Sequence, residues 1–240
     1  MVRSKKILIS VLFVLMMILS GCEKKEMIVE DKQGTSESVE IEDVASEEAS
    51  INIPEVQFPI LLEEGQLEIG SLFPFEGFNP DAGNEVGSDI ASISVRNLTN
   101  QYLEEANITV VVNEETEISF IVTDLPAGAS AMAFSVENIS LEKNAVCSSV
   151  SGETVFSNEI VEIPEGISVQ EDDIQVNVTN VSGQDMSKVT IYCRCPLDEE
   201  YFGGIAYQYE LQGLAAGETK VVDTEELLLG MVEVVRVEIE

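Results

Sequence analysis

Four cysteines, a wealth of carboxylates and no histidine set the chemistry open to this 240-residue chain. Without an imidazole it lacks the commonest general base, the usual partner of a nucleophilic serine and the commonest metal ligand. Cys193 and Cys195 stand two apart in a stretch with Val189 and Ile191, and in a strand all four side chains point to one face. Their Cα atoms would then lie about 6.5–7 Å apart, at the edge of disulfide reach. The pair reads as two buried small hydrophobes, with a redox pair or a soft-metal site as the alternative. Asp172 and Asp173 are adjacent carboxylates of the kind used in glycoside hydrolysis, but among forty-five Asp and Glu residues such pairs follow from composition alone. No catalytic residue, no cofactor and no cofactor-binding residue is assigned.

Two stretches between predicted strands could carry a contact site. Pro74 to Asp89 is sixteen residues long, more than an ordinary connection needs. Asn79, Asp81 and Glu85 there could offer oxygens to calcium, but Gly83 comes one place too early for the helix-loop-helix calcium loop and no Glu fills its twelfth position. No metal site is assigned; the stretch reads as an acidic loop pinned by Phe75 or Phe78, with Phe75, Phe78, Asp81 and Glu85 as candidate contact residues. The second stretch, Pro196 to Gly204, sets Asp198-Glu199-Glu200 before Tyr201-Phe202-Gly203-Gly204. Tyr201 and Phe202 are its candidate contacts, and a hairpin folding these rings back on the core is the competing arrangement.

The elements that must position these residues begin with a leader. Arg3, Lys5 and Lys6 precede thirteen mostly apolar residues, Ile7 to Leu19, which run into Leu19-Ser20-Gly21-Cys22. This is the order of a secretory signal peptide. At 1.5 Å per residue its apolar part reaches roughly 20 Å, short of the roughly 30 Å hydrocarbon core. Leu19-Ser20-Gly21-Cys22 resembles the lipobox of bacterial lipoproteins, which implies cleavage before Cys22, a diacylglyceryl thioether on its sulfur and acylation of the new amino group. The expected location is therefore extracytoplasmic, anchored through Cys22 to the outer face of the bacterial cell membrane. With Cys22 lipidated, Cys147, Cys193 and Cys195 remain, an odd number that makes no disulfide framework.

Loss of residues 1–21 leaves nine basic against forty-five acidic residues, a formal charge of −36. Such a surface repels nucleic acid and anionic lipid heads, and leaves a protein or basic partner at the envelope as the possible contact. Residues 22–56 are rich in Glu, Ser, Asp and Lys with no sustained apolar period, the composition of a disordered tether. A coil of this length spans about 30 Å, enough to hold a domain clear of the lipid head groups.

After Pro54 come short alternating runs of Val, Ile, Thr and Phe separated by Gly, Asn, Asp and Pro, the pattern of an all-β chain. Strands are expected at Gln66–Phe73, Ile90–Arg96, Ile108–Asn113, Glu117–Thr123, Ala131–Val136, Thr154–Glu162, Ile174–Thr179, Lys188–Cys195, Ile205–Leu211, Thr219–Val222 and Met231–Ile239. A helical turn is expected only at Thr224–Gly230. The strands fall into two copies. Val95-Arg96-Asn97-Leu98-Thr99-Asn100-Gln101-Tyr102-Leu103 matches Val178-Thr179-Asn180-Val181-Ser182-Gly183-Gln184-Asp185-Met186, and Leu125-Pro126-Ala127-Gly128 matches Leu214-Ala215-Ala216-Gly217. The offset grows from 83 to 89 residues between the two matches, so the second copy carries a longer stretch around Pro196 to Gly204. Asn97 and Asn180 are expected to shape a turn by bonding nearby backbone, while Gly128 and Gly217 supply permissive backbone at the next turn.

A repeat of this length suits two tandem immunoglobulin-like β-sandwich domains, residues 57–155 and 156–240. Over Ile90–Val136 and Ile174–Val222 the chain resembles the tandem FxLYD and CARDB-like domains of Gram-positive surface lipoproteins, through its Val-x-Asn turn, alternating strand and Leu-x-Ala-Gly turn. Tyr192-Cys193-Arg194-Cys195 and Pro196-Leu197-Asp198 depart from the aromatic-Leu-Tyr-Asp signature. The resemblance implies a non-catalytic interaction or structural module of the cell envelope. The alternatives are a solute- or metal-binding lipoprotein of a transporter, which needs helical lobes, and a small envelope hydrolase acting through carboxylates.

Overall fold

The computed structural model describes residues 55–158, 162–172, 175–224 and 231–240. The leader, Cys22 and almost all of the tether lie outside these residues, as do Asp173, Ile174 and all of the expected helical turn except Thr224.

The described chain is all-β. Its strands are β1 (Ile60–Leu62), β2 (Leu67–Asn79), β3 (Glu85–Asn97), β4 (Tyr102–Val112), β5 (Thr116–Leu125), β6 (Ser130–Phe134), β7 (Cys147–Ser157), β8 (Ile167–Asp172), β9 (Gln175–Asn180), β10 (Met186–Leu197), β11 (Glu200–Leu214), β12 (Thr219–Asp223) and β13 (Glu233–Ile239). Two 3-10 turns, Glu63–Gly65 and Pro80–Ala82, interrupt them, and no α-helix occurs among the described residues. Two expected loops prove to be hairpins. Pro74 to Asp89 continues β2 and β3 in antiparallel register around the Pro80–Ala82 turn, with irregularities at Ile69/Ser71 and Phe75/Gly77. Pro196 and Leu197 still pair with Tyr201 and Glu200, which leaves only Asp198-Glu199 as the turn. The start of the strand expected at Thr154–Glu162 also moves: β7 begins at Cys147, in a Ser-rich stretch whose apolar alternation is weak.

Seven strands make one sheet, ordered β1-β2-β3-β6-β11-β10-β13, and two three-stranded sheets hold β5-β4-β7 and β12-β9-β8. The sequence repeat is visible in this order. In the first half β2-β3-β6 lie in one sheet and β5-β4-β7 in another; in the second half β8-β9-β12 and β11-β10-β13 repeat the arrangement strand for strand. The join is a short parallel pairing of β6 with β11, Ala131 opposite Tyr201 and Met132 opposite Phe202. Because it joins the β2-β3-β6 strands of the first half to the β11-β10-β13 strands of the second, the seven-stranded sheet is a middle layer with a core on each face.

Alternation along the strands distributes side chains between those cores. On β6, Ala131 and Ala133 enter a core built with Ile108, Val110, Ile118 and Phe120, whereas Phe134 faces the other with Val176, Val178, Val189 and Ile191. Full burial of each such Val, Ile or Phe contributes about 1.5–3 kcal/mol. Strand β10 is buried on both faces: Cys193 and Cys195 belong to the second core, while Arg194 between them points back at the first half.

The matched asparagines form matched corners. Both are fully buried. Asn97 Nδ2 donates to the carbonyls of Gln101 (2.9 Å) and Leu125 (3.3 Å), and its Oδ1 accepts from Thr99 N–H (3.0 Å) and hydroxyl (2.8 Å). Asn180 repeats the set with Gln184 (2.6 Å), Leu214 (2.9 Å) and Ser182 (3.0 and 2.8 Å). Gly128 and Gly217, at φ +75° and +76°, take the same left-handed conformation one turn later, as the repeated Leu-x-Ala-Gly requires.

Candidate functional site

The two hairpin tips meet each other. The Pro80–Ala82 turn of the first half is capped by Asn79, whose Oδ1 accepts from Asp81 N–H and Ala82 N–H at 3.1 and 3.2 Å and whose Nδ2 donates to the Ser135 carbonyl at 2.8 Å. That cap aims Asp81 at the second half. Asp81 Oδ2 accepts from the backbone N–H groups of Phe134 and Gly204, each at 2.8 Å, and Oδ1 accepts from Ile205 N–H at 3.0 Å. Gly203 rests on the Pro80 ring, and any side chain at Gly204 would strike the Ile121 carbonyl oxygen. Only glycine lets β11 come this close to β5 and the Asp81 turn.

Arg194 answers from the second half. Its Nε donates to the Asp124 carbonyl at 3.1 Å, Nη1 to Gly203 at 3.0 Å, and Nη2 to Gly204 at 2.7 Å and to Thr123. Two of these acceptors lie on β5 and two on β11. The guanidinium also sits 5.2 Å from the centroid of the Tyr201 ring. A planar fork with five donors suits four carbonyls spread over two strands; an ammonium does not. A second arginine completes the junction: Arg236 Nε approaches Asp124 Oδ1 to 2.8 Å, an ion pair without hydrogen-bond alignment, and its guanidinium stacks 4.0 Å from the Tyr192 centroid. Tyr102 and Tyr201 hydroxyls donate to Asp124 (3.4 Å) and Glu233 (3.0 Å). Inside the molecule the Asp124 carboxylate thus faces the Arg236 guanidinium, while Asp81 and Arg194 bind backbone groups on either side.

Burial dominates their electrostatics. It raises the Asp81 carboxyl above the usual range against three N–H donors and Arg194, and raises Asp124 against Arg236 and Arg194. The same desolvation lowers Arg194, so this arginine and both carboxyls are pushed towards neutrality, as loss of water requires. Burial also pushes the Cys193 thiol up to about 12 and the Cys195 thiol to about 11. Thiols held this way are poor nucleophiles and poor ligands.

The candidate contact residues therefore divide. Phe75 and Phe202 pack on Phe134 with centroids 4.9 and 5.0 Å from its ring and 5.7 Å from each other. Tyr201 and Phe202 fold back on the core, the hairpin arrangement of the two expected, and Asp81 turns inward with them, so these three residues help bind the two halves together. Phe78, opposite Val86 near the first hairpin tip, stays exposed, and Glu85 remains on the surface with a 3.4 Å bond from Asn138. Asn79 and Asp81 spend their oxygens on backbone N–H groups instead of gathering around a cation. Arg194 is the residue that sequence reasoning missed; the signal was a cation placed between two buried cysteines in an apolar strand.

Two open clefts flank the junction. One, about 950 Å³, runs between Arg96, Ser130 and Met132 of the first half and Leu197–Glu200 of the second. The other, about 360 Å³, lies between Glu105 and Val155 on one side and Tyr192, Gln208 and Arg236 on the other. Glu200 on the first cleft is raised by partial burial. No protein-family model matches the chain, and no curated protein matches it in sequence.

Proposed function

We propose that the protein is a lipid-anchored extracytoplasmic lipoprotein whose two tandem immunoglobulin-type sandwiches serve the bacterial cell envelope as a non-catalytic interaction or structural module. The observation that carries this reading is Leu19-Ser20-Gly21-Cys22 behind a basic, apolar leader. The strand order supports the sandwich part: each half sets three strands against three in the pairing of an immunoglobulin-type fold that lacks its last strand. The FxLYD and CARDB-like resemblance of the repeated turns points the same way. The non-catalytic part is supported by how the polar side chains of the junction are used. Asp81 and Arg194 are committed to backbone groups and the Asp124 carboxylate to Arg236, and the cysteines beside them are held as thiols.

Anchoring is tested by growing bacteria that express the chain on radiolabelled palmitate. Label should enter the wild type and be lost from Cys22→Ala, since two or three acyl chains at about 0.8 kcal/mol per buried CH₂ hold a protein on a bilayer. Label persisting in Cys22→Ala, or absent from the wild type, would refute the anchor.

A further inference from the structure

We infer that the two long hairpins form a clasp that holds the two sandwiches as one rigid body. The inference goes beyond the envelope role and does not depend on the lipid anchor.

Comparison of the halves isolates the clasp. Leu67 pairs with Asn97 in the first half as Ile167 pairs with Asn180 in the second. The first hairpin spans 97 − 67 = 30 positions and the second 180 − 167 = 13, so the first is longer by seventeen. The reverse holds one hairpin later: Leu103 pairs with Leu125 over 22 positions and Met186 with Leu214 over 28, an excess of six in the second half. Each half has lengthened a different hairpin, and the two lengthened tips are the ones that touch.

What each tip delivers is a connector. The first carries Asp81, which takes N–H groups from β6 and β11 together. The second carries Gly203 and Gly204, which accept from Arg194 while that side chain also holds β5. Each core is drawn mostly from its own half. The first core is drawn from β2 to β7 and the Leu141 segment except for Tyr201 and Val235, and the second from β8 to β13 and the adjoining Val232 except for Ile90 and Phe134. Rigidity between the halves follows from the clasp, and stability within each half from its own sandwich.

The test uses the mature chain with Cys22, Cys147, Cys193 and Cys195 replaced by Ala or Val and spin labels at exposed Glu115 and Ser168, one in each half. The clasped protein should give one narrow distance peak in pulsed electron resonance. Asp81→Asn with Arg194→Met should broaden it several-fold while both halves keep their dispersed methyl signals. A second variant, with the first hairpin cut back to the length of its counterpart in the second half, should do the same. A broad distribution in the parent, an unchanged narrow peak in both variants, or unfolding of both variants would each overturn the clasp.

Discussion

Arg194 donates through Nε to the carbonyl of Asp124, seventy positions earlier in the chain, at 3.1 Å and out of contact with water. The bond joins β10 of one half to β5 of the other. Arg194→Lys keeps the charge but cannot serve four carbonyls on two strands, and each orphaned buried acceptor costs about 1–3 kcal/mol. At about 2–4 °C per kcal/mol for a protein of this size, thermal unfolding should begin at least about 5 °C lower. A lysine variant that melts with the wild type would show that the guanidinium geometry is idle.

The buried asparagine corners are expected to be as unforgiving as the arginine. Asn97→Asp and Asn180→Asp preserve the acceptor but remove the amide that donates to Gln101 and Leu125, or to Gln184 and Leu214. Each should lower the urea midpoint nearly as far as the alanine variant does. An aspartate variant of wild-type stability would mean that the Oδ1 bonds alone hold the turn.

Much of this was legible in the residues. The repeated Val-x-Asn pattern identified both corners, and alternation found most strands, because each reflects a local rule acting over a few positions. Strand β8 escaped notice since Ile167–Asp172 is largely polar and exposed on a sheet edge. The junction escaped for a different reason: Asp81 and Gly204 are brought together by pairing across 123 positions, and no local period reports that. Both hairpin tips stood out in the sequence as unusual, yet their partners could not be read because each is the other's partner.

Acid should stabilise the fold. Asp81, Asp124 and Glu200 carry raised pKa values in the folded chain, so the fold binds protons more tightly than the unfolded chain between about pH 4 and those raised values. Their charged forms penalise folding above that window, and the penalty is relieved as the pH falls through it. Relief of self-repulsion in so acidic a chain acts in the same direction. The urea midpoint should therefore be higher at about pH 4.5, towards the foot of that window, than at about pH 8; a lower midpoint in acid would contradict this sign.

Cys193 and Cys195 should resist a maleimide under native conditions and react fully in denaturant, since thiols held near 12 and 11 expose almost no thiolate at neutral pH. Replacing both with Ser should destabilise by about 1–3 kcal/mol each, because the hydroxyls enter the second core without assured partners. Replacement with Ala or Val should cost less. Rapid native labelling, or stoichiometric copper or zinc binding lost in the double variant, would move the protein into a redox or metal-handling class.

In the proposed lipoprotein Cys22 becomes the first residue and carries lipid. Mass spectrometry of the amino-terminal peptide from protein purified out of bacterial membranes tests it most directly. The account predicts a peptide beginning at Cys22 whose mass exceeds that of the bare sequence by a diacylglyceryl group, with or without a further acyl chain on its amino group. A peptide beginning at any other residue, or one with an unmodified Cys22 thiol, would contradict it.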